Sequence, residues 1–527
     1  MFLIMSAAYI DTELKSEFGA LPPSFLPLGN RRLFQHQNTI IPEGVAKFIS
    51  LPESYQISDM DAIWLDDNGF TVLAIPDGLS LGASLVAAIS LVEDNFDRPL
   101  HILFGDTLLT QLPLGNDIIT LSDVEDSYNW ATINDAEDSS WVESTENVLS
   151  RNKQVVCGYF KFSKPRQLIR CITQSHWNFL SGLNRYHNSI GLDPVYTEQW
   201  LDFGHVNTYY RSKAKFTTQR AFNELTITEE WIEKSSVKNT KIQAEANWFT
   251  QLPAPMRYFI PQFMGTNQEN NSFKYRLEYL HHTALNELFV FSELPEMVWN
   301  NIFNSCLSFI DHCQQYKAPI EEIYSPIEQL FGEKTSHRLY EFCQDRNIKF
   351  DDRWVFDGEE ISLNDLLEAS NQWLPKNTMM PTVMHGDFCF SNVLYDFRTN
   401  RIKTIDPRGL THNNELTIYG DTRYDIAKLS HSILGMYDWI IAGYYKVDIS
   451  NNHIQFDIVE QQRLQGIQQL FIEKIGSRFH LTPMNLYAMQ IQLFLSMLPL
   501  HYDDKRRQDA LFSNAFRLFK ILKGYYQ

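Results

Sequence analysis

The chain has 527 residues, of which 44% are hydrophobic and 21% charged, and its formal net charge is −19. That length exceeds what a single hydrophobic core organises, so two or three domains are expected. The acidic balance excludes a nucleic-acid-backbone binder, which needs a basic face, yet a few local cations and a divalent metal can still hold a nucleotide.

Cys157, Cys171, Cys306, Cys313, Cys343 and Cys389 form no CxxC pair, so neither a zinc site nor a disulfide framework is indicated. A reducing, cytoplasmic location is the simpler expectation. The opening MFLIMSAAYIDTELK carries no basic region before its apolar run and reads as a buried first strand, not a signal peptide. Leu79 to Val92 and Leu486 to Leu500 are too polar or too short to span a bilayer, so membrane insertion is not expected.

In chain order, Phe2–Ala8, Ala62–Leu65, Thr71–Ile75 and Leu100–Phe104 read as buried strands, and Ser80–Val92 and Pro165–Leu180 as helices. Such alternation predicts an α/β layer with a mainly parallel sheet, whose chemistry gathers at the carboxyl ends of the strands. The pattern changes near residues 210–220. Ala221–Ile227 and Glu230–Ser235 read as a short antiparallel pair, Lys241–Gln251 as a helix, and Tyr258–Phe263 and Lys274–Tyr279 as further strands. From Ala284 onward helical patterns dominate. The expected division is residues 1–212 followed by 213–527, the latter with a strand-rich small lobe to about 282 and a helical large lobe beyond it.

Four features of the first part resemble sugar-phosphate nucleotidyltransferases. SFLPLGNRRLFQHQ (Ser24 to Gln37) resembles the proline- and glycine-bearing run after that family's nucleotide loop. LHILFGD ends in Asp106, WLDFGH contains Asp202, and VVCGYFKFS places Gly158 in a strand like the family's sugar-binding one. The resemblance implies a Rossmann-like domain in which Asp106 and Asp202 hold Mg²⁺ for attack on an α-phosphate. The phosphate loop departs from the family: SAAYIDTELKSEFGALPPS lacks paired glycines, puts Glu13 where a cation is expected, and has Ser24 in place of the lysine after proline. Two readings stay open, a nucleotide held differently or a fold that has lost its first reaction.

The segment from Met384 to Gly409 reads MHGDFCFSNVLYDFRTNRIKTIDPRG. Phosphoryl transfer needs an acceptor oxygen aimed at the γ-phosphorus and metal ions on the phosphates. Asp387 suits the base at the acceptor hydroxyl. Asn392, and Asp406 after the short strand Ile402–Ile405, offer the hard oxygens Mg²⁺ prefers. His385 would brace the loop. HGD, the asparagine five residues on and the Ile-Asp-Pro-Arg-Gly run together resemble the aminoglycoside phosphotransferase and choline kinase family, which is similar to protein kinases. The resemblance implies an α+β bilobal kinase-like fold, with ATP and Mg²⁺ as cofactors. It implies a lysine–glutamate pair upstream, for which Lys234 and Glu245 are the candidates, with Lys238 and Lys241 as rivals. It also implies a hinge at Arg276 to Leu280, including Glu278, and a phosphate-covering turn near Thr217 to Asn223. That turn has no glycine, so Arg220 or Asn223 would substitute. Asp425, in YDIAK, would brace the catalytic loop.

Tyr437, Trp439, Tyr444 and Tyr445 could cage a quaternary ammonium, although core packing is the commoner use of such aromatics. The expected activity is transfer of the γ-phosphate of ATP to a small acceptor: a sugar, a polyol or an amino alcohol. A second nucleoside triphosphate could serve the first domain, and bacterial surface polysaccharide synthesis is the expected setting. A choline or ethanolamine kinase with a cytidylyltransferase-like domain is the alternative, and a first domain that senses a sugar nucleotide without turnover is another.

Overall fold

The structure, a computed structural model, describes residues 1–92, 98–124, 128–134, 140–145, 154–220, 225–228, 230–236, 239–269, 272–319, 331–332, 334–411, 413–458 and 461–526. The chain divides into two compact units, Met1–Gln219 with Phe291–Glu293, and Arg220–Val290 with Leu294–Gln527.

The first unit is built on a mixed sheet. Its parallel strands run Phe70–Ile75, Lys47–Pro52, Phe2–Met5, Leu100–Phe104, so the strand order reverses beside the first strand, as in Rossmann-like folds. Phe2–Met5 is buried at every position, which suits a central parallel strand covered on both faces. Gln154–Phe162 then pairs antiparallel with both Leu100–Phe104 and Ile118–Asp123. Helices Leu81–Ser90 and Phe179–Ile190 begin at Ser80 and Asn178, whose side chains accept from Ala83 N and Ser181 N.

Several expectations are corrected here. Ala62–Leu65 lies in a helix, Asp59–Asp67, not in a strand. Ser58 caps that helix, and Asp59 and Asp61 in its first turn suit the positive end of the dipole. Four apolar residues cannot fix a period, and the cap decides. The strand that does form, Lys47–Pro52, was absent from the expected set. Pro165–Leu180 is two helices, Pro165–Gln174 and Phe179–Ile190, broken where His176 and Trp177 take left-handed φ values of 51° and 65°. Phe2–Ala8 forms a strand only over Phe2–Met5.

The second unit opens with an antiparallel sheet in the order Leu225–Ile227, Trp231–Ser236, Ser272–Glu278, Phe263–Glu269, against which helix Asn239–Gln251 packs. Residues 221–224 of the expected first strand lie outside the described residues. Tyr258–Phe263 is corrected as well. Ala254–Phe259 forms a 3₁₀ turn, and the strand begins only at Phe263, after Pro261, which cannot donate to a ladder. The larger lobe is mainly helical, including Glu296–Gln315, Thr422–Ile433, Pro483–Met497 and Lys505–Gly524. A hairpin of Val393–Asp396 and Arg401–Thr404 presents the HGD segment. The helical pattern conceals a further sheet in this lobe, ordered Glu359–Ile361, Trp354–Phe356, His453–Asp457, Lys446–Ser450. The small lobe over a helical large lobe is a kinase-like arrangement. Among the described residues, no helix is long and apolar enough to cross a membrane.

Candidate active site

The loop that carries the HGD run is held by its own backbone donors. Asp425, fully buried near the start of helix Thr422–Ile433, accepts from His385 N at 2.7 Å and from Gly386 N at 2.8 Å. Burial pushes its carboxyl up to about 7, against the pull of those two donors. His385 is buried too. Its Nε2 donates to Ile405 O at 2.9 Å, and its Nδ1 accepts from Asp387 N at 3.3 Å, which fixes the neutral tautomer. Burial lowers its pKa to about 4, so it braces the loop without charge. Trp248 donates to Met384 O at 2.7 Å and meets the His385 ring edge-on.

Gly386 has φ +81°, and a Cβ there would lie 2.7 Å from Arg408 Cβ. Gly409 has φ +63°, and a Cβ there would come within 2.2 Å of Ala244 O on the helix that carries Glu245. Only glycine fits either position.

Asp387 is thereby turned outward. Its Oδ1 lies 2.8 Å from Lys428 Nζ. Burial disfavours its charge, but the Lys428 ammonium outweighs burial and holds the carboxyl below its ordinary range. Asn392 Nδ2 donates to Asp387 O at 2.9 Å and to Oδ2 at 3.2 Å, and its amide oxygen accepts from Ser391 Oγ at 3.5 Å. Ile405 N donates to Asn392 O at 3.0 Å, bringing Asp406 beside Asn392. Asp406 takes φ +58°, a conformation that turns its side chain out of the hairpin.

Lys234 reaches this group from the small lobe. Its ammonium lies 3.3 Å from Glu245 Oε2 and 2.5 Å from Asp406 Oδ1. Desolvation opposes its charge, but the two carboxylates raise its pKa, so it stays protonated. Glu245 is buried, is pushed up by desolvation, and accepts from Tyr275 OH at 2.6 Å. Lys241, an expected rival, lies 3.8 Å from Glu245 but is largely exposed. Lys238 and Asn223 lie outside the described residues, as does the side chain of Arg220. Glu278 ends strand Ser272–Glu278, where its N–H donates to Gln262 O and its carboxylate accepts from Gln262 N.

The structure therefore joins Lys234, Glu245, His385, Asp387, Asn392 and Asp406 in one linked group. It also places Lys428 there, a residue that sequence reasoning passed over. The signal was available: Lys428 follows Asp425 by three residues on a helix, so the two share a face. Among the described residues no three or more His, Cys, Asp or Glu side chains cluster to hold a metal. The oxygens of Asn392 and Asp406 are nonetheless of the hard kind that suits Mg²⁺.

The four aromatics do not form a cage. Trp439 is 1% exposed and packs edge-on against Tyr444 and Phe289. Tyr437 stacks on His431, and Tyr445 meets Phe456. Trp439→Ala is expected to cost about 3–5 kcal/mol in urea unfolding. It should also depress use of every acceptor alike; a loss confined to quaternary ammonium acceptors would contradict the packing role.

In the first unit, Asp106 and Asp202 converge. A Cβ on Gly204 would lie 2.9 Å from Asp106 Oδ2 and 3.4 Å from Asp202 Oδ1. Burial pushes the Asp106 carboxyl up. Both residues line a cavity of about 450 Å³ whose walls include Trp130, Trp177, Trp200 and Gly158. The stretch expected to cradle phosphates instead forms helix Thr12–Phe18. Asp11 caps it, accepting from Leu14 N at 2.8 Å, and lies 3.4 Å from His205 Nδ1. One of its first amides, Leu14 N, is thus served by a carboxylate of the chain itself. Glu13 is exposed on that helix, and Ser24, buried, donates its N–H to Ser6 Oγ at 3.0 Å.

No protein-family model and no curated protein matches the chain. Solved structures do. A nucleoside-diphosphate-sugar pyrophosphorylase from Vibrio cholerae RC9 is 12% identical, with a TM-score of 0.32, over 40% of this chain and 99% of that one. An inositol-1-phosphate CTP transferase from T. maritima is 14% identical, with a TM-score of 0.31, over 42% of this chain and 97% of that one. A thermostable mutant of the aminoglycoside phosphotransferase APH(4)-Ia is 14% identical, with a TM-score of 0.33, over 59% of this chain and 98% of that one.

Proposed function

We propose that this protein transfers the γ-phosphate of ATP to a hydroxyl of a small acceptor. The observation that carries the reading is Lys234, bridging Glu245 and Asp406 opposite the Asp387–Asn392 pair. In this reading Lys234 contacts the α- and β-phosphates, and Glu245 and Tyr275 hold it in place. Asn392 and Asp406 are the residues that would hold Mg²⁺, which neutralises the phosphates. Asp387, already ionised, takes the acceptor proton. His385 and Asp425 position it.

The first unit binds a phosphorylated or nucleotide-linked form of the same small molecule, between Asp106 and Asp202 and the tryptophans of the adjoining cavity. Helix Thr12–Phe18 favours a ligand whose triphosphate is not gripped by the usual loop. A role in making an activated building block for bacterial surface polysaccharide rests on this pairing of units. Use of ATP agrees with a cytoplasmic location.

The test is incubation with ATP, Mg²⁺ and a panel of sugars, polyols and amino alcohols, followed by mass spectrometry of the products. Lys234→Met is expected to raise KM for ATP by about tenfold or more. Asp106→Asn and Asp202→Asn should leave phosphate transfer intact while removing any nucleotide-linked product. If no acceptor gains phosphate and Asp387→Asn hydrolyses ATP as fast as the parent protein, the kinase reading is wrong.

A further inference from the structure

We propose that Lys428 is a catalytic residue, whose ammonium passes from Asp387 to the phosphoryl group as that group is transferred. The inference rests on the kinase reading and adds a residue to its chemistry.

Lys428 lies on helix Thr422–Ile433, three residues after Asp425. Asp425 holds the loop through His385 N and Gly386 N, so one helix face places both the loop and the lysine. Lys428 Nζ is 2.8 Å from Asp387 Oδ1, and its side chain is only 19% exposed, so its charge acts in a partly dry place. Among the described residues this is the one ion pair that either residue makes. Asp438, buried on helix Tyr437–Ile441, also attracts Lys428, from beyond ion-pair distance.

The other oxygen of the base, Oδ2, accepts from Asn392 Nδ2 at 3.2 Å. An acceptor hydroxyl that gives its proton to Asp387 comes within about 2.6–3.2 Å of one of these two oxygens. A carboxylate oxygen takes a second donor, so the hydroxyl settles beside the group already there. Asn392 is tied on several sides, since Nδ2 also donates to Asp387 O and its backbone carbonyl accepts from Ile405 N. The Lys428 ammonium ends a flexible stem and has the single tie to Asp387. It is the partner that moves.

The phosphorus under attack lies about 3–3.5 Å from that hydroxyl oxygen. A small movement of the Lys428 stem therefore carries its ammonium to the phosphoryl oxygens. Lys234, the other cation of this group, already has two carboxylates, Glu245 and Asp406.

Charge shifts in the same direction. The hydroxyl proton goes to Asp387 and the acceptor oxygen bonds to phosphorus. The bond from phosphorus to the β-phosphate oxygen breaks, and its electron pair leaves with ADP. Protonation cancels the carboxylate that Lys428 pairs with. The ammonium thus loses its anion just as the charge spread over the phosphoryl oxygens calls for a cation. An interaction gained only during transfer raises kcat without tightening the ground state. Burial disfavours the Lys428 charge, but Asp387 outweighs burial, so the cation is in place beforehand.

The test uses the full chain with Mg²⁺ and ATP, with water as acceptor and with the panel of sugars, polyols and amino alcohols. Lys428→Met is expected to lower kcat by roughly 10²–10³-fold, the range for loss of one group that stabilises transition-state charge, with KM for ATP within about twofold. Lys428→Arg, which keeps the charge, should stay within about tenfold of the parent. Lys428→Gln, read in the same way as the methionine variant, serves if that one unfolds. The decisive arm is the Asp387→Asn background. A lysine that only steadies Asp387 has nothing left to do there, whereas one that meets the phosphoryl group does. Lys428→Met should then lower the residual kcat by about a further tenfold.

No further loss in that background overturns the inference. So does parent-level kcat in Lys428→Met, a loss confined to KM for ATP, or Lys428→Arg as slow as Lys428→Met. Each of these leaves the kinase reading standing. ATP turnover equal in the parent and in Asp387→Asn, with no acceptor phosphorylated, sinks the kinase reading and the inference with it.

Discussion

Asp387→Asn is expected to lower kcat for phosphate transfer by roughly 10²–10⁴-fold, the range for loss of a positioned general base. KM for ATP should stay within about twofold, because no nucleotide contact is assigned to this side chain. The amide matches the carboxylate in size, and the Asn392 bond to Asp387 O is to the backbone, so the loop should keep its path. What disappears is the charge that accepts the hydroxyl proton and pairs with Lys428. Stripping Lys428 of its partner should also cost about 1–3 kcal/mol in urea unfolding. The pair is half-sheltered, between the exposed and buried extremes. Replacing both residues, Asp387→Asn with Lys428→Met, should recover part of that stability and none of the activity. The sign of the pH effect follows from the depressed pKa. Asp387 stabilises the fold above its unfolded value, near 4, and that contribution is lost only as pH falls through its lower folded value. Activity between pH 6 and 8 should therefore show no limb from this carboxylate. Retention of parent-level transfer in Asp387→Asn would remove it from the chemistry.

The two halves of the chain were not equally readable. The loop from Met384 to Gly409 carries its chemistry within one short stretch, because a hairpin returns Asp406 to the side of Asn392. Order along the sequence therefore predicts proximity. Glu245 and Lys234 are separated by a strand end and a helix start, and helical spacing narrowed the choice. How helix Asn239–Gln251 meets the Met384–Gly409 loop, with Trp248 Nε1 donating to Met384 O, is a tertiary fact that no local pattern encodes.

The misread elements failed for local reasons. The sheet of Trp354–Phe356 and Glu359–Ile361 announces itself through Asp357-Gly358, both at positive φ, as does Lys446–Ser450 with His453–Asp457 through Asn451-Asn452. These are hairpin turns of the kind such dipeptides favour. Their strands are too short for alternation to compete with the helical pattern around them. In the first unit the missing glycines were plain in the sequence. That a capped helix would fill the space, with Asp11 against His205, depended on packing with the distant segment Trp200–Asp202 that precedes His205.

Asp425→Ala is the substitution expected to damage both stability and catalysis most broadly. The carboxyl group accepts from two buried backbone donors, His385 N and Gly386 N, and among the described residues nothing else is bonded to them. Leaving two such donors unpaired costs about 1–3 kcal/mol each, so a total of about 2–5 kcal/mol is expected in urea unfolding at pH 5. The pH trend runs opposite to that of Asp387. Burial raises the Asp425 carboxyl to about 7, so its stabilising contribution is complete below the unfolded value near 4 and declines as pH rises toward 7. The gap between parent and Asp425→Ala should therefore narrow from pH 5 to pH 8. Catalysis should fall at least about 10²-fold at every pH, since the loop that aims Asp387 loses its anchor and small displacements of a base have that effect. Asp425→Asn keeps one acceptor oxygen but turns an amide donor toward the second N–H. It should lie between the two in stability while remaining nearly as inactive as the alanine variant. Full activity in Asp425→Asn would mean that the loop holds its shape through His385 and Ile405 alone.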